Sequence, residues 1–174
     1  LTFSGDKLIG GPQAGIIIGK NKYINLLQKN ILYRVVRSDK MTIGLLEHTL
    51  RSYRSNSFTK DNFSLKMLTT SRNTLKNRGK KIIKYQSKKK INALGIKLEP
   101  SNVEAGSGSL PDDKIESMAL AFRPRSMKVS ELAKVLRCGS IPVVGYTSGN
   151  TYYIDLKGVL PKQVIRLAKA IKEI

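Results

Sequence analysis

A mixed α/β chain ending in a small α+β domain is predicted by three features of the sequence. Short strand-like runs, "TFS" and "AGIIIGK", bracket a glycine-rich turn at the start. Apolar residues recur at steps of three and four through much of the stretch from Asn21 to Lys90, the spacing of a helix with one buried face. From Ile91 onward, short apolar runs separated by turns alternate with two helical patterns, as in a compact α+β domain.

The run "AGIIIGK" is continuous enough for a buried strand. "NKYINLLQKN" carries Tyr23, Leu26 and Leu27 at helical spacing behind Asn21, a residue suited to cap a helix. In "SDKMTIGLLEHTLRSYR" the series Ile43, Leu46, Leu50 and Tyr53 predicts a longer helix whose stripe is buried. After the polar break "SNSFTKDN", Leu65, Leu68, Leu75 and Ile82 place one side of a long amphipathic segment, Ser64 to about Lys90, against a core, with lysines and arginines around the rest.

Strands are expected in "INALGIKLEPS", "SMALAFRP", "PVVGYTSG" and "NTYYIDLKGV", and helices in "KVSELAKVLRC" and "PKQVIRLAKAIKEI". Pro161 falls in the first turn of the last helix, where its missing N–H does no harm. Gly149 and Asn150 accept the left-handed backbone of a tight hairpin turn. The expected divisions are residues 1–55, part of a larger domain; 56–90, a basic linking helix; and 91–174, the α+β domain.

Charge is the strongest compositional signal. The formal net charge is +20, and residues 51–100 hold 14 basic against 2 acidic groups. Such an excess draws polyanions through counterion release, and it equally suits a solvated helix face. The lone Cys138 excludes an intrachain disulfide and a cysteine-based zinc site, and is read as a small buried hydrophobe. His48, without a second histidine or a cysteine cluster, is read as packed or solvated. No apolar run approaches the roughly 20 residues of a membrane span, so the chain is read as soluble and cytoplasmic. It begins with Leu1 rather than methionine, in a stretch that reads like the interior of a protein, and a fragment lacking its N-terminal part is expected.

Lys7, between Ser-Gly-Asp and a Gly-Gly-Pro-Gln turn, is the candidate reactive residue. A lysine forms imines when burial or neighbouring positive charge favours its neutral amine, and glycines let backbone N–H groups approach a phosphate. The spacing alone is compatible with a pyridoxal phosphate site and with an ordinary turn lysine.

The stretch "TFSGDKLIGGPQAGIIIGK" resembles the lysine segment of the bacterial selenocysteine synthase family, the L-seryl-tRNA(Sec) selenium transferases, which are fold-type-I (aminotransferase-like) pyridoxal phosphate enzymes. The similarity continues through "LYRVVRSDKMTIGLLEHTLRSY", "EAGSGSLPDDKIESMALAF" and "IPVVGYTSGNTYYIDLKGVLP", in the family's order and near its spacing. The resemblance implies that Lys7 carries the cofactor, that Ser4 contacts its phosphate, and that Gln13 and the Gly10–Gly11 turn lie near it. It implies that Arg34 and Arg37 bind the anionic selenium donor, selenophosphate. Two arginines three apart on a helix share a face, and their guanidinium forks grip a tetraoxyanion as lysines do not. The implied reaction converts seryl-tRNA(Sec) to selenocysteinyl-tRNA(Sec) by β-elimination and selenium addition. The implied assembly is a homo-oligomer of dimers.

Two departures stand out. Tyr146 occupies a position where the family pattern leads one to expect arginine, and "GSGS" replaces a more glycine-rich loop. The cofactor-binding aspartate, the ring-stacking residue and the phosphate-binding turn of such enzymes would all precede Leu1, so the chain by itself is expected to be inactive unless another polypeptide completes it. The alternatives are a noncatalytic basic RNA-binding remnant, acting through residues 60–90, and a related pyridoxal phosphate lyase of small amino acids or amino sugars.

Overall fold

The computed structural model describes residues 1–55, 57–105 and 114–174. The fold is mixed α/β, as expected, and divides into two compact units, the first comprising Leu1–Lys66 and the second beginning at Met67.

In the first unit, β1 (Thr2–Ser4) pairs antiparallel with β2 (Gly15–Ile17), with Ser4 opposite Gly15. Backbone bonds from Gly5 N to Ala14 O and from Gly11 N to Gly5 O, each 2.8 Å, continue the pairing into the glycine loop. Three helices follow: α1 (Asn21–Lys29), the single turn α2 (Tyr33–Val36) and α3 (Lys40–Arg54). Lys20, not Asn21, is the N-cap of α1, and Asn21 is its first helical residue. Asp39 caps α3, accepting from the N–H groups of Met41 and Thr42 and from the Thr42 hydroxyl. Then come α4 (Phe58–Asp61) and α5 (Phe63–Leu68).

The predicted burial of the α3 stripe does not hold: Ile43 and Leu50 are exposed, and Leu46 and Tyr53 are only half-buried. The periodicity is helical as read, but the glycine loop and the short α4 cover only the Leu46 and Tyr53 part of it.

The second unit has the core. Its helices α6 (Arg72–Lys84) and α7 (Lys88–Leu94) lead into β3 (Lys97–Val103), which pairs with β4 (Ile115–Phe122). After α8 (Val129–Cys138), β5 (Tyr146–Ser148) and β6 (Thr151–Asp155) form the expected hairpin about Gly149 and Asn150, and α9 (Val164–Glu173) closes the chain. The sheet is antiparallel in the order β3-β4-β6-β5. Leu75 and Ile82 of α6, Leu120 and Phe122 of β4, Leu132 and Leu136 of α8, and Leu167 and Ile171 of α9 meet in one cluster. Its hydrophobic burial holds these helices to the sheet.

Three boundaries differ from the sequence reading. The long segment from Ser64 to Lys90 is broken, because Ser71 and Ser87 each accept a bond from a backbone N–H three residues on and start new helices, α6 and α7. The stretch "INAL" completes α7 rather than opening a strand: Gly95, at φ +57°, ends the helix and β3 begins at Lys97. Of "PVVGYTSG", only Tyr146–Ser148 pairs as a strand. The basic residues of α6 and α7 fall within the second unit, whose core takes in Leu75, Ile82 and Leu94 of the same helices.

Asp155 joins the strands polar side to polar side. Its carboxylate accepts from the hydroxyls of Ser101 at 2.7 Å and Ser117 at 2.6 Å and from Lys157 N at 2.9 Å. Lys157 itself is buried, its Nζ donating to the carbonyls of Leu68 and Thr70, and desolvation lowers its pKa.

Candidate active site

Lys7 lies in the loop between β1 and β2, three residues before the sharp turn at Gly10–Gly11, and is exposed. The charged partner of its Nζ is the Asp6 carboxylate, 3.7 Å away, with both side chains in contact with solvent. Such a pair is worth about 0–1 kcal/mol, so it steadies the amine without immobilising it.

The backbone beyond the lysine is held far more firmly. Asn62 is buried, and its Nδ2 donates to the Ile9 carbonyl at 2.6 Å and to the Tyr53 hydroxyl at 3.1 Å. The Tyr53 hydroxyl in turn donates to Ile9 O at 3.0 Å, with Leu8 O at 3.2 Å. Tyr53 stacks on Phe58, with ring centroids 5.0 Å apart and planes 2° from parallel. Gly10 has φ +72°, and a Cβ on it would sit 2.4 Å from Asn62 Nδ2. A side chain there meets both backbone strain and the clamp itself.

Neither Tyr53 nor Asn62 stands out in the sequence as a site residue. Tyr53 read as one more apolar position of α3, and Asn62 as part of a polar break. The one local signal was Asn62 as a helix cap, since its Oδ1 accepts from Leu65 N at 3.0 Å.

Ser4 ends β1 with an exposed side chain, and its strand partner Gly15 leaves open space where a Cβ would stand. Gln13 is exposed in the return of the loop. Arg34 lies within α2, whereas Arg37 is the residue that ends it, extended at ψ 138° and bonded through its N–H to Tyr33 O. The two arginines therefore do not share a continuous helix face as expected; α2 stops after one turn, and only the first of them is helical. Both are exposed, and neither has a carboxylate partner among the described residues. The nearest acid in sequence, Asp39, is occupied by capping α3. Among the described residues, no hydrogen bond or ion pair joins Lys7, Ser4, Gln13, Arg34 and Arg37 to one another.

Cys138 is exposed, against the expectation of burial, because it falls at the end of α8 on the side away from Leu132 and Leu136. His48 is exposed. Tyr146 stacks on Tyr153 across the hairpin, centroids 5.2 Å apart, and burial raises its pKa. The "GSGS" stretch lies outside the described residues.

The family description L-seryl-tRNA selenium transferase matches residues 1–160, from the lysine strand through the hairpin and its following turn. The chain belongs to the L-seryl-tRNA selenium transferase family. It is similar over 99% of its length to the L-seryl-tRNA(Sec) selenium transferase of Desulfotalea psychrophila, at 34% identity and covering 37% of that protein. Similarity to the transferase of the same name from Photorhabdus laumondii is 38% over 90% of the chain and 35% of the relative. For Carboxydothermus hydrogenoformans it is 36% over 94% of the chain and 35% of the relative. The chain thus spans little more than a third of the length of these selenium transferases. Within the described residues no helix is long and apolar enough to cross a membrane, and no cluster of His, Cys, Asp or Glu suits a metal ion.

Proposed function

We propose that this chain is the lysine-bearing portion of a pyridoxal phosphate-dependent L-seryl-tRNA(Sec) selenium transferase. Its substrates are seryl-tRNA(Sec) and selenophosphate, it works in the cytoplasm where charged tRNAs are used, and its working assembly is a homo-oligomer of dimers. The observation that carries the reading is the solvent-reachable amine of Lys7 on a loop whose backbone is clamped by Tyr53 and Asn62, in a chain of this family.

The residues present fit the cofactor's two reactive ends. Lys7 is a primary amine whose weak link to Asp6 yields readily, matching an aldehyde, and the exposed Ser4 is paired with Gly15, where a Cβ would meet open space, leaving room for a phosphate. Gln13 adds an amide able to donate or accept. When bound, pyridoxal phosphate supplies the electron sink for loss of the seryl α-proton and the β-hydroxyl group.

Lys7 would hold the cofactor, and its Nζ is the base that would take and return the proton at the seryl Cα. The Tyr53–Asn62 clamp fixes the loop carbonyls, so that Nζ moves on a stationary base; both are positioning residues. Arg34 and Arg37 hold selenophosphate. Among the described residues neither has a carboxylate partner, which leaves both guanidinium groups available to an anion, and charge-assisted bonds from two forks orient it.

The test is borohydride reduction after addition of pyridoxal phosphate, followed by peptide mapping. One pyridoxyl group concentrated on Lys7, and lost in Lys7→Ala, is expected. Label scattered over the surface lysines at equal yield would sink the reading.

A further inference from the structure

We propose that the exposed face of α6 and α7 is a docking surface for the phosphate backbone of folded RNA. This rests on the reading above only in its choice of RNA as the polyanion; the surface itself is argued from charge and packing.

Between Asp61 and Glu99 the sequence contains no acidic side chain, while eleven lysines and arginines fall there. The fold sorts them. Leu75, Gly79 and Ile82 turn one side of α6 into the core, which leaves Arg72, Lys76, Lys80 and Lys84 along the outside at successive steps of four. Residues so spaced on a helix are neighbours about 5–6 Å apart, and like charges at that spacing destabilise a helix by about 0.2–0.5 kcal/mol per pair. Lys81 widens the row, and Lys88 and Lys89 extend it along α7. Among the described residues none of these cations has a carboxylate within ion-pair distance. An ordinary solvated surface interleaves both signs; this one accumulates repulsion that a row of phosphates relieves.

Two contacts carry the face onto α9. Lys90 Nζ donates to Lys172 O at 2.7 Å, and Lys172 Nζ stands 5.6 Å from the centre of the Tyr85 ring. Tyr85, at the end of α6, is 39% exposed, which leaves an aromatic surface amid the cations on which an unpaired base can stack. Asn73 and Asn77 stand exposed beside the lysine row and add amide donors.

An anionic membrane is the other polyanion of this size, and the face argues against it. A membrane-seated helix buries Leu, Phe or Trp opposite its lysines, whereas the apolar side of α6 is already used by the core and Tyr85 is the sole large exposed hydrophobic between Arg72 and Leu94 among the described residues.

The test measures binding of the whole chain, without cofactor, to a fluorescent tRNA transcript by anisotropy over a series of salt concentrations. K80E/K84E/K88E should weaken binding at least tenfold near physiological salt. Its slope of log affinity against log salt should be shallower by about 2–3, since each lost phosphate contact removes about 0.7–0.9. The milder K80Q/K84Q/K88Q, with helix content checked by circular dichroism, should fall between it and the parent. A control of equal charge change elsewhere, K114E/K134E/R137E, should lose less than threefold. Equal losses in the two reversal variants would overturn the proposal, as would tighter binding to phosphatidylserine vesicles than to the transcript. Because Lys7 labelling is read separately, an unaltered label with RNA binding insensitive to the α6–α7 changes rejects this surface alone, and the converse result rejects only the catalytic reading.

Discussion

Asn62 Nδ2 donates to the Tyr53 hydroxyl at 3.1 Å, and the two side chains converge on the carbonyl of Ile9, two residues beyond Lys7. Neither side chain is apolar, yet together they are what fixes the reactive loop, because a carbonyl withdrawn from water demands a donor.

Removal of the buried amide in Asn62→Ala should destabilise the protein by about 1–3 kcal/mol, the cost of leaving such a carbonyl unmet. Hydrogen exchange locates the effect: the amides of Gly10 and Gly11, bonded to Lys7 O and Gly5 O, should exchange faster while those of the second unit keep their protection. Unchanged exchange at both glycines would show that the clamp does not hold the loop.

Exchanging both Arg34 and Arg37 for lysine keeps the charge and removes the forks. Affinity for inorganic phosphate, measured by calorimetry, should fall about tenfold or more, the loss of roughly 1–3 kcal/mol in charge-assisted bonding. Lys7 labelling should be unaffected. An affinity equal to the parent's would remove these arginines from the anion site.

Acid should loosen α3 from its start. The Thr42 backbone N–H, and then its hydroxyl, hold the Asp39 carboxyl below its usual pKa. A carboxylate with a depressed folded pKa stabilises the native state above its unfolded pKa, and that contribution disappears as pH falls through the folded one. Amide shifts of Met41 and Thr42 in NMR should therefore titrate below the ordinary aspartate range. Asp39→Asn, which keeps the cap without the charge, should abolish that titration.

In the second unit, Gly95→Ala should cost at least about 2 kcal/mol, because alanine is strained in the left-handed backbone. Its Cβ would also lie 2.3 Å from the Arg123 carbonyl oxygen, backbone against backbone with no flexible side chain to give way. The urea unfolding midpoint multiplied by the m-value is the measurement, and a loss below about 0.2 kcal/mol would mean that the α7–β3 junction relaxes freely.

What the residues alone determined was local or compositional. The period of the apolar residues carried α1, α3, α8 and α9, Gly149–Asn150 carried the hairpin, and the motifs around Lys7 carried the family. Each of these depends on neighbours in sequence, where propensity and spacing act directly. Tertiary structure decided the rest. It assigned Asn62 and Tyr53 to carbonyls 53 and 44 residues away, broke the basic segment at two serine caps, and set α6 against the sheet so that its lysines face outward together. It also left Ile43 and Leu50 of the α3 stripe exposed, which periodicity cannot foresee, since an amphipathic pattern states which side seeks burial and says nothing about how much of it a partner layer covers.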